Sequence, residues 1–294
     1  MKANTVIDNS LEPKVNKKFN FMGLIQKIVL YVLLISISII IITPVIWIIL
    51  SSFNSGTSLF SSTLIPKHPT LIHYKELFTQ TDFPIWYKNT LKIATINMII
   101  SVILTTLSAY AFSRFRFIGR KFGLMALMIL QMFPGFLAMT AIYILLMKMH
   151  LLNTHWGLIL VYAGGQIPYN TWLCKGYYDG IPRSLDEAAR IDGASNLTIF
   201  AKIIFPLAKP IITLVALTNF MGPWFDFIFP QIILRSADKK TLAMGLFEWI
   251  QKQQNTEFTR FAAGAILVAI PITLLFVFLQ KYIVEGLAAG ATKG

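Results

Sequence analysis

The feature that most constrains this chain is the run LYVLLISISIIIITPVIWIIL at residues 30–50, which holds 21 residues and no charge. A helix of about 20 apolar residues crosses the roughly 30 Å hydrocarbon core of a bilayer. The run is longer than the apolar part of a secretory signal, and no small-residue cleavage site follows it. We therefore predict a first membrane-spanning helix that is retained, preceded by a polar, basic tail over residues 1–29.

Five further apolar stretches predict five further spans. The composition agrees, because 55% of the residues are hydrophobic, only 13% are charged and the mean hydropathy is +0.65. A soluble protein needs more charge to cover its surface. We predict an all-α integral membrane protein with a six-span domain over residues 30–280 and a tail over residues 281–294. The five further spans are Ile93–Phe112, Phe122–Met147, His155–Cys174, Pro210–Leu234 and Phe261–Gln280.

The positive charge is distributed as in a membrane protein, not as in a nucleic-acid-binding one. The formal net charge is +13, but the basic residues form short clusters at the ends of apolar runs. The two tails and the loops containing Arg114–Lys121 and Lys175–Lys209 hold 16 of the 26 Lys and Arg residues. Because cytoplasmic loops carry the excess of basic residues, both termini are predicted to be cytoplasmic, beside lipid headgroups and without a nucleic-acid partner.

The opposite side of the predicted membrane domain has two longer loops, Ser51–Asn89 and Arg235–Arg260. The first predicts a short helix around Tyr74–Phe78, and the second predicts an amphipathic helix over Leu242–Gln251. Loops of this length usually carry function or structure of their own. We therefore expect these loops to contact a partner outside the cell.

A polar segment, SLDEAARIDGAS at residues 184–195, interrupts the apolar pattern. Ser184 and Glu187 have the spacing of a capping box, in which each side chain bonds a backbone N–H at the start of a helix. Asp186 lies near the positive end of the helix dipole, and Gly193 supplies a C-terminal turn. The alanines between them allow another surface to approach the backbone closely.

A second short helix is predicted directly after this segment. It covers Asn196–Phe205 and ends before Pro206. The helical spacing places four apolar side chains on one side, Leu197, Phe200, Ile203 and Ile204. From composition alone, the helix pair is an interfacial element packed on its own protein.

The polar segment and its surroundings resemble a known family. EAARIDGA followed by IIFPLAKP is similar to the EAA loop of binding-protein-dependent ABC importer permeases, through Glu187, Ala188, Ala189, Gly193 and the end Phe205-Pro206-Leu207. Residues 129–164, the stretch WLCKGYYDGIP and the final KYIVEGLAAGATKG are similar to the carbohydrate-uptake members, in particular the maltose-type (MalG-like) subunit. The chain departs from the family at Phe225, where asparagine is usual.

This resemblance implies an ABC type I importer permease fold with a transmembrane core over about residues 89–280. It also implies that the polar helix is a coupling helix that docks on a cytoplasmic ATPase. The partners it implies are a homologous permease subunit, an ATPase dimer and an extracytoplasmic sugar-binding protein, in a bacterial cell membrane. The expected cargo is maltodextrin or galacto-oligosaccharide. The residues assigned to ATPase coupling are Ser184, Asp186, Glu187, Ala188, Ala189, Asp192 and Gly193.

The sequence lacks the common signatures of cofactor binding and of catalysis. No GxxxxGK[ST] phosphate-binding loop occurs in it, so ATP and Mg are expected on the partner ATPase and no cofactor is expected here. No catalytic triad or carboxylate pair rises above chance, so we predict a transport subunit that is not an enzyme. The four histidines lack the spacing of helical metal ligands, and no metal site is predicted.

Polar residues inside the predicted spans are candidates for a translocation path. An acid inside a span should face protein or water, so Asp226 either lines the path or is hydrated at the outer interface. Asn97, Gln131 and Asn219 either line the path or join helices through hydrogen bonds. The family resemblance further implies contact of the loop near residues 251–259 with the binding protein. The residues assigned to that contact are Gln251, Gln253, Gln254 and Asn255.

Three rival interpretations stay open at the level of sequence. An ion-coupled secondary transporter would need carboxylates or histidines at mid-depth, and the chain offers one off-centre acid. A membrane scaffold would use the polar segment only for docking. An ABC permease could also carry another polyol-type solute.

Overall fold

The computed structural model describes residues 21–56, 65–132, 134–251 and 257–291, and the regular elements in those ranges are helices. The chain forms two compact units, Met1–Trp47 and Ile48–Gly294. The described part of the first unit is helical and belongs to α1 (Phe21–Ser52), which begins upstream of the predicted span and whose last five residues are assigned to the second unit. Residues 21–29 contain no proline that would delay the start of the helix.

The second unit contains the remaining helices. Two short helices predicted in the outer loops are confirmed, α2 around Tyr74–Phe78 and α12 over Leu242–Gln251. The last helix continues beyond the predicted span end at Gln280 and through most of the predicted tail. The elements are α2 (Ile72–Thr79), α3 (Phe83–Arg114), α4 (Arg120–Met132), α5 (Met139–Lys148), α6 (His155–Asp179), α7 (Arg183–Ile191), α8 (Asn196–Ile199), α9 (Phe205–Leu207), α10 (Lys209–Phe225), α11 (Ile228–Ile233), α12 (Leu242–Gln251) and α13 (Phe258–Ala291).

Within the described residues, three helical segments are long and apolar enough to cross a bilayer: Ile25–Ser52, Phe83–Arg114 and Phe258–Val284. Two sharply bent helix pairs raise this number to five if each pair is counted as one span. The predicted span His155–Cys174 lies in the continuous helix α6, which is not among these candidates. A multi-pass helical membrane protein is confirmed, and the total of six spans stays a prediction.

The stretch predicted as one span, Phe122–Met147, is broken in the structure. The segments Arg120–Met132 and Gly135–Lys148 meet at 91°. Pro134 has no amide hydrogen, and its φ and ψ of −59° and 122° are not helical, so the hydrogen bonds of α4 cannot continue through it. The predicted span therefore consists of two helices, which count as one span only if the bent pair crosses the membrane together.

The predicted span Pro210–Leu234 is also divided. Helix α10 ends at Phe225, and Asp226 has the extended φ and ψ of −82° and 120° before α11 begins. At its other end, α10 meets the segment Asn196–Leu207 at 82°. The apolar run therefore contains two helices, because one residue in its middle leaves the helical conformation.

Buried clusters form at opposite ends of α3. One cluster contains Tyr110, Tyr178 and Ile204 and joins α3 and α6 to the segment that follows α7. Another contains Trp86 and Trp249 and joins α3 to α12. With a rise of 1.5 Å per residue, Trp86 and Tyr110 are separated by roughly 36 Å along α3. Helices α7 and α12 are therefore fixed at opposite ends of the same long helix.

Candidate functional site

The polar segment singled out in the sequence forms helix α7, but it begins differently from the prediction. The N-cap residue is Pro182, with φ and ψ of −55° and 130°, and no side-chain cap hydrogen bond is present. Ser184 therefore lies inside the first turn and is not a cap, and the predicted capping box with Glu187 is wrong. The helix starts two residues earlier than predicted because the fixed φ of proline already suits a helix entry.

The end of α7 matches the prediction. Gly193 has φ of +80°, the left-handed conformation that glycine adopts at low cost. Its amide donates to the Arg190 carbonyl at 3.0 Å, and the Ala194 amide donates to the Ala189 carbonyl at 2.9 Å. These two bonds form a Schellman motif, which satisfies carbonyls left unpaired at the helix end.

The helix after this turn is capped by Ser195, whose Oγ accepts a hydrogen bond from the Thr198 amide at 3.2 Å. It does not stop before Pro206, contrary to the prediction. A π-helical turn over Phe200–Ile204 leads into α9, which places the proline in a first turn where its missing amide costs no hydrogen bond. Of the four apolar side chains predicted on one side, Phe200 and Ile204 are buried and Leu197 is 69% exposed.

Asp186 points into the protein. Its Oδ2 lies 2.7 Å from Nε of Arg114, the last residue of α3, and the two side chains are only 6% and 2% exposed. Arg114 also donates from Nη2 to the Ile181 carbonyl at 3.0 Å. The family resemblance assigned Asp186 to ATPase coupling, whereas in the structure its side chain attaches α7 to α3.

A second set of polar contacts surrounds this ion pair. Ser113 donates to Oδ1 of Asp179 at 2.7 Å, and Arg183 donates to the Ser113 carbonyl at 3.2 Å. Lys175 forms an ion pair with Asp179. Burial opposes ionisation of Asp179, but these partners outweigh it and hold the pKa of Asp179 below its usual value. The ends of α3 and α6 and the start of α7 are thus joined by ionised, hydrogen-bonded groups.

The other side of α7 is open to solvent. Glu187, Ala188 and Asp192 are exposed, and Ala189 is half-buried. Two apolar side chains on this surface are exposed, Ile191 at 87% and Leu185 at 41%. A polar helix that is held by a buried ion pair and presents small and apolar side chains outward is suited to contact another protein.

Two of the four path candidates are buried at a helix contact. Asn97 of α3 and Asn219 of α10 are both fully buried, and Nδ2 of Asn97 donates to the Asn219 carbonyl at 2.8 Å. Gln131 is exposed and donates to the Gly165 carbonyl at 3.0 Å. These contacts favour the interpretation in which amides join helices.

Asp226 occupies the break between α10 and α11. Its Oδ1 accepts from the Ile228 amide at 2.8 Å, and its Oδ2 accepts from the Tyr162 hydroxyl of α6 at 2.8 Å. The carboxylate therefore accepts a hydrogen bond at the start of α11 and connects that helix to α6. The sequence alone did not indicate this role. The signal that could have revealed it is an acid inside an apolar run, since such a residue often caps a helix.

Of the four residues predicted to contact the binding protein, the structure describes one. Gln251 is exposed at the last position of α12. Gln253, Gln254 and Asn255 lie outside the described residues. Within the described ranges, no group of three or more His, Cys, Asp or Glu residues could hold a metal ion.

Comparisons with known proteins connect this geometry to a family. Residues 98–288 match the family described as binding-protein-dependent transport system inner membrane component. The chain is 48% identical over 267 residues to the galactooligosaccharides transport system permease protein GanQ of Bacillus subtilis strain 168, covering 90% of this chain and 94% of that protein. It is 46% identical over 271 residues to the maltodextrin transport system permease protein MdxG of the same organism, covering 92% and 98%.

A solved structure agrees with these sequence matches. The fold is similar to that of a bacterial ABC transporter involved in the import of the acidic polysaccharide alginate, with a TM-score of 0.79 and 25% identity over 90% of this chain and 98% of that chain. The ABC importer permease fold and the resemblance to the carbohydrate-uptake permeases are thereby confirmed. This chain is a multi-pass membrane protein that belongs to the family of binding-protein-dependent transport system inner membrane components.

Proposed function

We propose that this chain is the membrane-spanning permease subunit of an ATP-driven sugar importer, and that α7 is the contact through which an ATPase moves it. The observation that carries the proposal is the two-sided character of α7. One side is fixed to α3 by the buried Arg114–Asp186 pair, and the other presents Glu187, Ala188 and Ile191 to solvent. A force on the exposed side is therefore delivered to a long candidate span.

The proposed cargo is an oligosaccharide, with maltodextrin and galacto-oligosaccharide as the first candidates. The support is the identity of 48% and 46% to permeases named for those two sugar classes. Another polyol-type solute would be the alternative within the same transport mechanism.

The proposed assembly contains a homologous permease subunit, a cytoplasmic ATPase dimer and an extracytoplasmic sugar-binding protein, in a bacterial cell membrane. ATP and Mg would be held by the ATPase, and this chain would carry no cofactor. Because α7 would face the ATPase, both termini are proposed to be cytoplasmic. The opposite end of α3, where α12 packs, would then face the binding protein.

The proposed mechanism is alternating access. ATP-driven closure of the ATPase dimer would displace α7, and the buried ion pair would pass that displacement to the end of α3. Since α3 packs along α6 and α10 through buried side chains, these helices would move with it. The membrane domain would then change between inward-facing and outward-facing states.

The first experiment tests the contact directly with Glu187→Arg, measuring sugar uptake and sugar-dependent ATP hydrolysis in proteoliposomes. The matched control is Asp82→Arg, which places the same charge change at the exposed start of α3, the opposite end of the structure. Glu187 lies beyond the first turn of α7 and Asp82 is the N-cap of α3, so the control carries the larger cost through the helix dipole. We expect uptake to fall at least tenfold for Glu187→Arg with loss of the ATPase from the purified complex, whereas Asp82→Arg should retain the ATPase. Retention of the ATPase by both variants would contradict the proposed contact.

A second experiment tests the assembly. Affinity purification of the tagged chain in mild detergent should recover a second permease and an ATPase. The Glu187→Arg variant should retain the second permease and lose the ATPase. A chain that is purified alone and moves sugar without ATP would favour the ion-coupled transporter.

A further inference from the structure

An open cavity lies at the end of α3, apart from the exposed side of α7. Its volume is about 460 Å³, and it lies between the α3–α4 turn, the start of α4 and the far end of α6. Three of its lining residues are cations and the others are apolar or glycine. The lining residues are Phe117, Gly119, Arg120, Lys121, Phe122, Leu124 and Lys175.

The cations of this cavity are only partly neutralised. Lys175 pairs with Asp179, whose other carboxylate oxygen accepts from Ser113. Lys121 is exposed and has no hydrogen bond or ion pair with the described residues. With three cations and one nearby carboxylate, the cavity keeps an excess of positive charge. A basic cavity of this kind attracts an anionic group.

The backbone places the cations in fixed positions. Gly119 has φ of +88°, which reverses the chain between α3 and α4. Nε of Arg120 donates to the Phe112 carbonyl at 2.7 Å, and the Phe112 and Phe117 rings pack at a tilt of 51° with centroids 5.5 Å apart. The guanidinium is therefore anchored to the end of α3 beside an aromatic wall.

The cavity also lies where a lipid headgroup would be. Arg114 ends one candidate span, and Arg120 begins the bent pair that can form another. The turn between them is at the boundary between hydrocarbon and water, whichever side of the membrane it faces. Phe122, at 76% exposed, stands beside the cations as an apolar surface for an acyl chain. Basic pockets between spans at this depth bind anionic headgroups.

We propose that this cavity binds the phosphate headgroup of an anionic phospholipid, with Arg120, Lys121 and Lys175 as its cationic contacts. The phosphate would lie among the cations, and the glycerol and acyl chains would extend along Phe117, Phe122 and Leu124. A zwitterionic lipid has a choline or ethanolamine cation that these side chains repel. This site is independent of the proposed sugar transport and makes no use of α7.

The test is native mass spectrometry of the purified transporter, titrated separately with phosphatidylglycerol and phosphatidylcholine. Lys121→Gln should weaken retention of phosphatidylglycerol by about fivefold, and the double variant Arg120→Gln/Lys121→Gln by about 30-fold. The single variant removes no contact within the described protein, so its effect cannot come from misfolding. The matched control is Arg116→Gln, an exposed cation of the same turn that does not line the cavity.

The outcomes separate the alternatives. Selective retention of phosphatidylglycerol that is lost in the two cavity variants and kept in Arg116→Gln supports the proposal. Equal weakening by Arg116→Gln would show general attraction to the basic turn and would overturn it. Displacement of the lipid by glycerol phosphate at equal concentration would assign the site to a small soluble phosphate and would also overturn it.

Discussion

Arg114 and Asp186 form a buried ion pair of 2.7 Å that joins the last residue of the long helix α3 to the short polar helix α7. Oδ1 of Asp186 has no hydrogen-bond partner among the described residues, so the carboxylate depends on Arg114 for its compensation. A buried charge that loses its only charged partner is costly, because the interior cannot hydrate it. The pair therefore fixes the position of α7 more strictly than apolar packing alone would.

The first prediction concerns this pair. Asp186→Leu and Arg114→Met should each destabilise the chain by about 3–5 kcal/mol, because each leaves an uncompensated buried charge. The double variant should regain most of that loss, since an apolar pair of similar volume leaves no buried charge. Thermal unfolding of the purified transporter in detergent measures all three variants. A double variant as unstable as the sum of the single variants would show that the two side chains are not coupled.

The second prediction concerns the turn after α7. Gly193→Ala should destabilise the turn by about 1–2 kcal/mol, because a side chain is strained at φ of +80° even where space is open. The matched control is Gly176→Ala in α6, where a helical glycine also faces open space, and this variant should be neutral or stabilising by up to about 1 kcal/mol. Thermal unfolding compares them, and equal shifts would contradict the left-handed turn.

The third prediction concerns the packing of α12 on α3. A Cβ added at Gly245 would lie 2.0 Å from the Trp86 ring. Because the alanine side chain has no rotatable bond that moves its Cβ, the substitution cannot avoid this clash. Gly245→Ala should therefore cost about 1–3 kcal/mol and expose the Trp86–Trp249 contact. Tryptophan fluorescence and limited proteolysis of α12 measure the change. Gly164→Ala, at a helical glycine with open space, is the control and should leave both signals unchanged.

The fourth prediction separates two roles of Asp226. Asp226→Ala removes the acceptor of the Ile228 amide and should cost about 0.5–2 kcal/mol, whereas Asp226→Asn keeps an acceptor oxygen and should retain most of the stability. If Asp226 serves only to cap α11, uptake should follow stability in both variants. Normal stability of Asp226→Asn with reduced sugar uptake would instead place the charge on the translocation path.

The fifth prediction concerns how the melting temperature depends on pH through Glu76 of α2. Glu76 is partly desolvated, but Arg260 at 3.0 Å and His73 at 3.3 Å hold its pKa below the usual 4.5. A carboxyl whose folded pKa is lowered stabilises the fold above its unfolded pKa and loses that contribution as pH falls through the folded value. The melting temperature should therefore fall as pH drops below 4.5.

Two substitutions of carboxyl groups serve as controls for this prediction. Glu76→Gln should reduce the dependence of the melting temperature on pH in that range, because the titrating group is gone. Asp82→Asn, at an exposed carboxyl with no side-chain cap hydrogen bond, should leave the dependence as in the unmodified chain. An unchanged dependence in Glu76→Gln would show that other carboxyls produce the effect.

Several features could be read from single residues and their spacing. The apolar run at residues 30–50 predicted a helix that the structure contains, and Leu242–Gln251 was predicted with the bounds that α12 has. Gly193 was predicted to end α7, and it does so in the left-handed conformation. These features depend on local physics, because transfer of an apolar helix and the conformational freedom of glycine require no distant partner.

The sequence by itself therefore determined the class of protein and the existence of the polar helix α7. Only the tertiary structure decided that Asp186 faces Arg114, that Asp226 begins α11 against Tyr162, and that Asn97 bonds the backbone at Asn219. The physical reason is that the direction of a polar side chain depends on which donor or acceptor lies within hydrogen-bond distance. Those partners are 64–122 residues away in the chain, so no local pattern contains them.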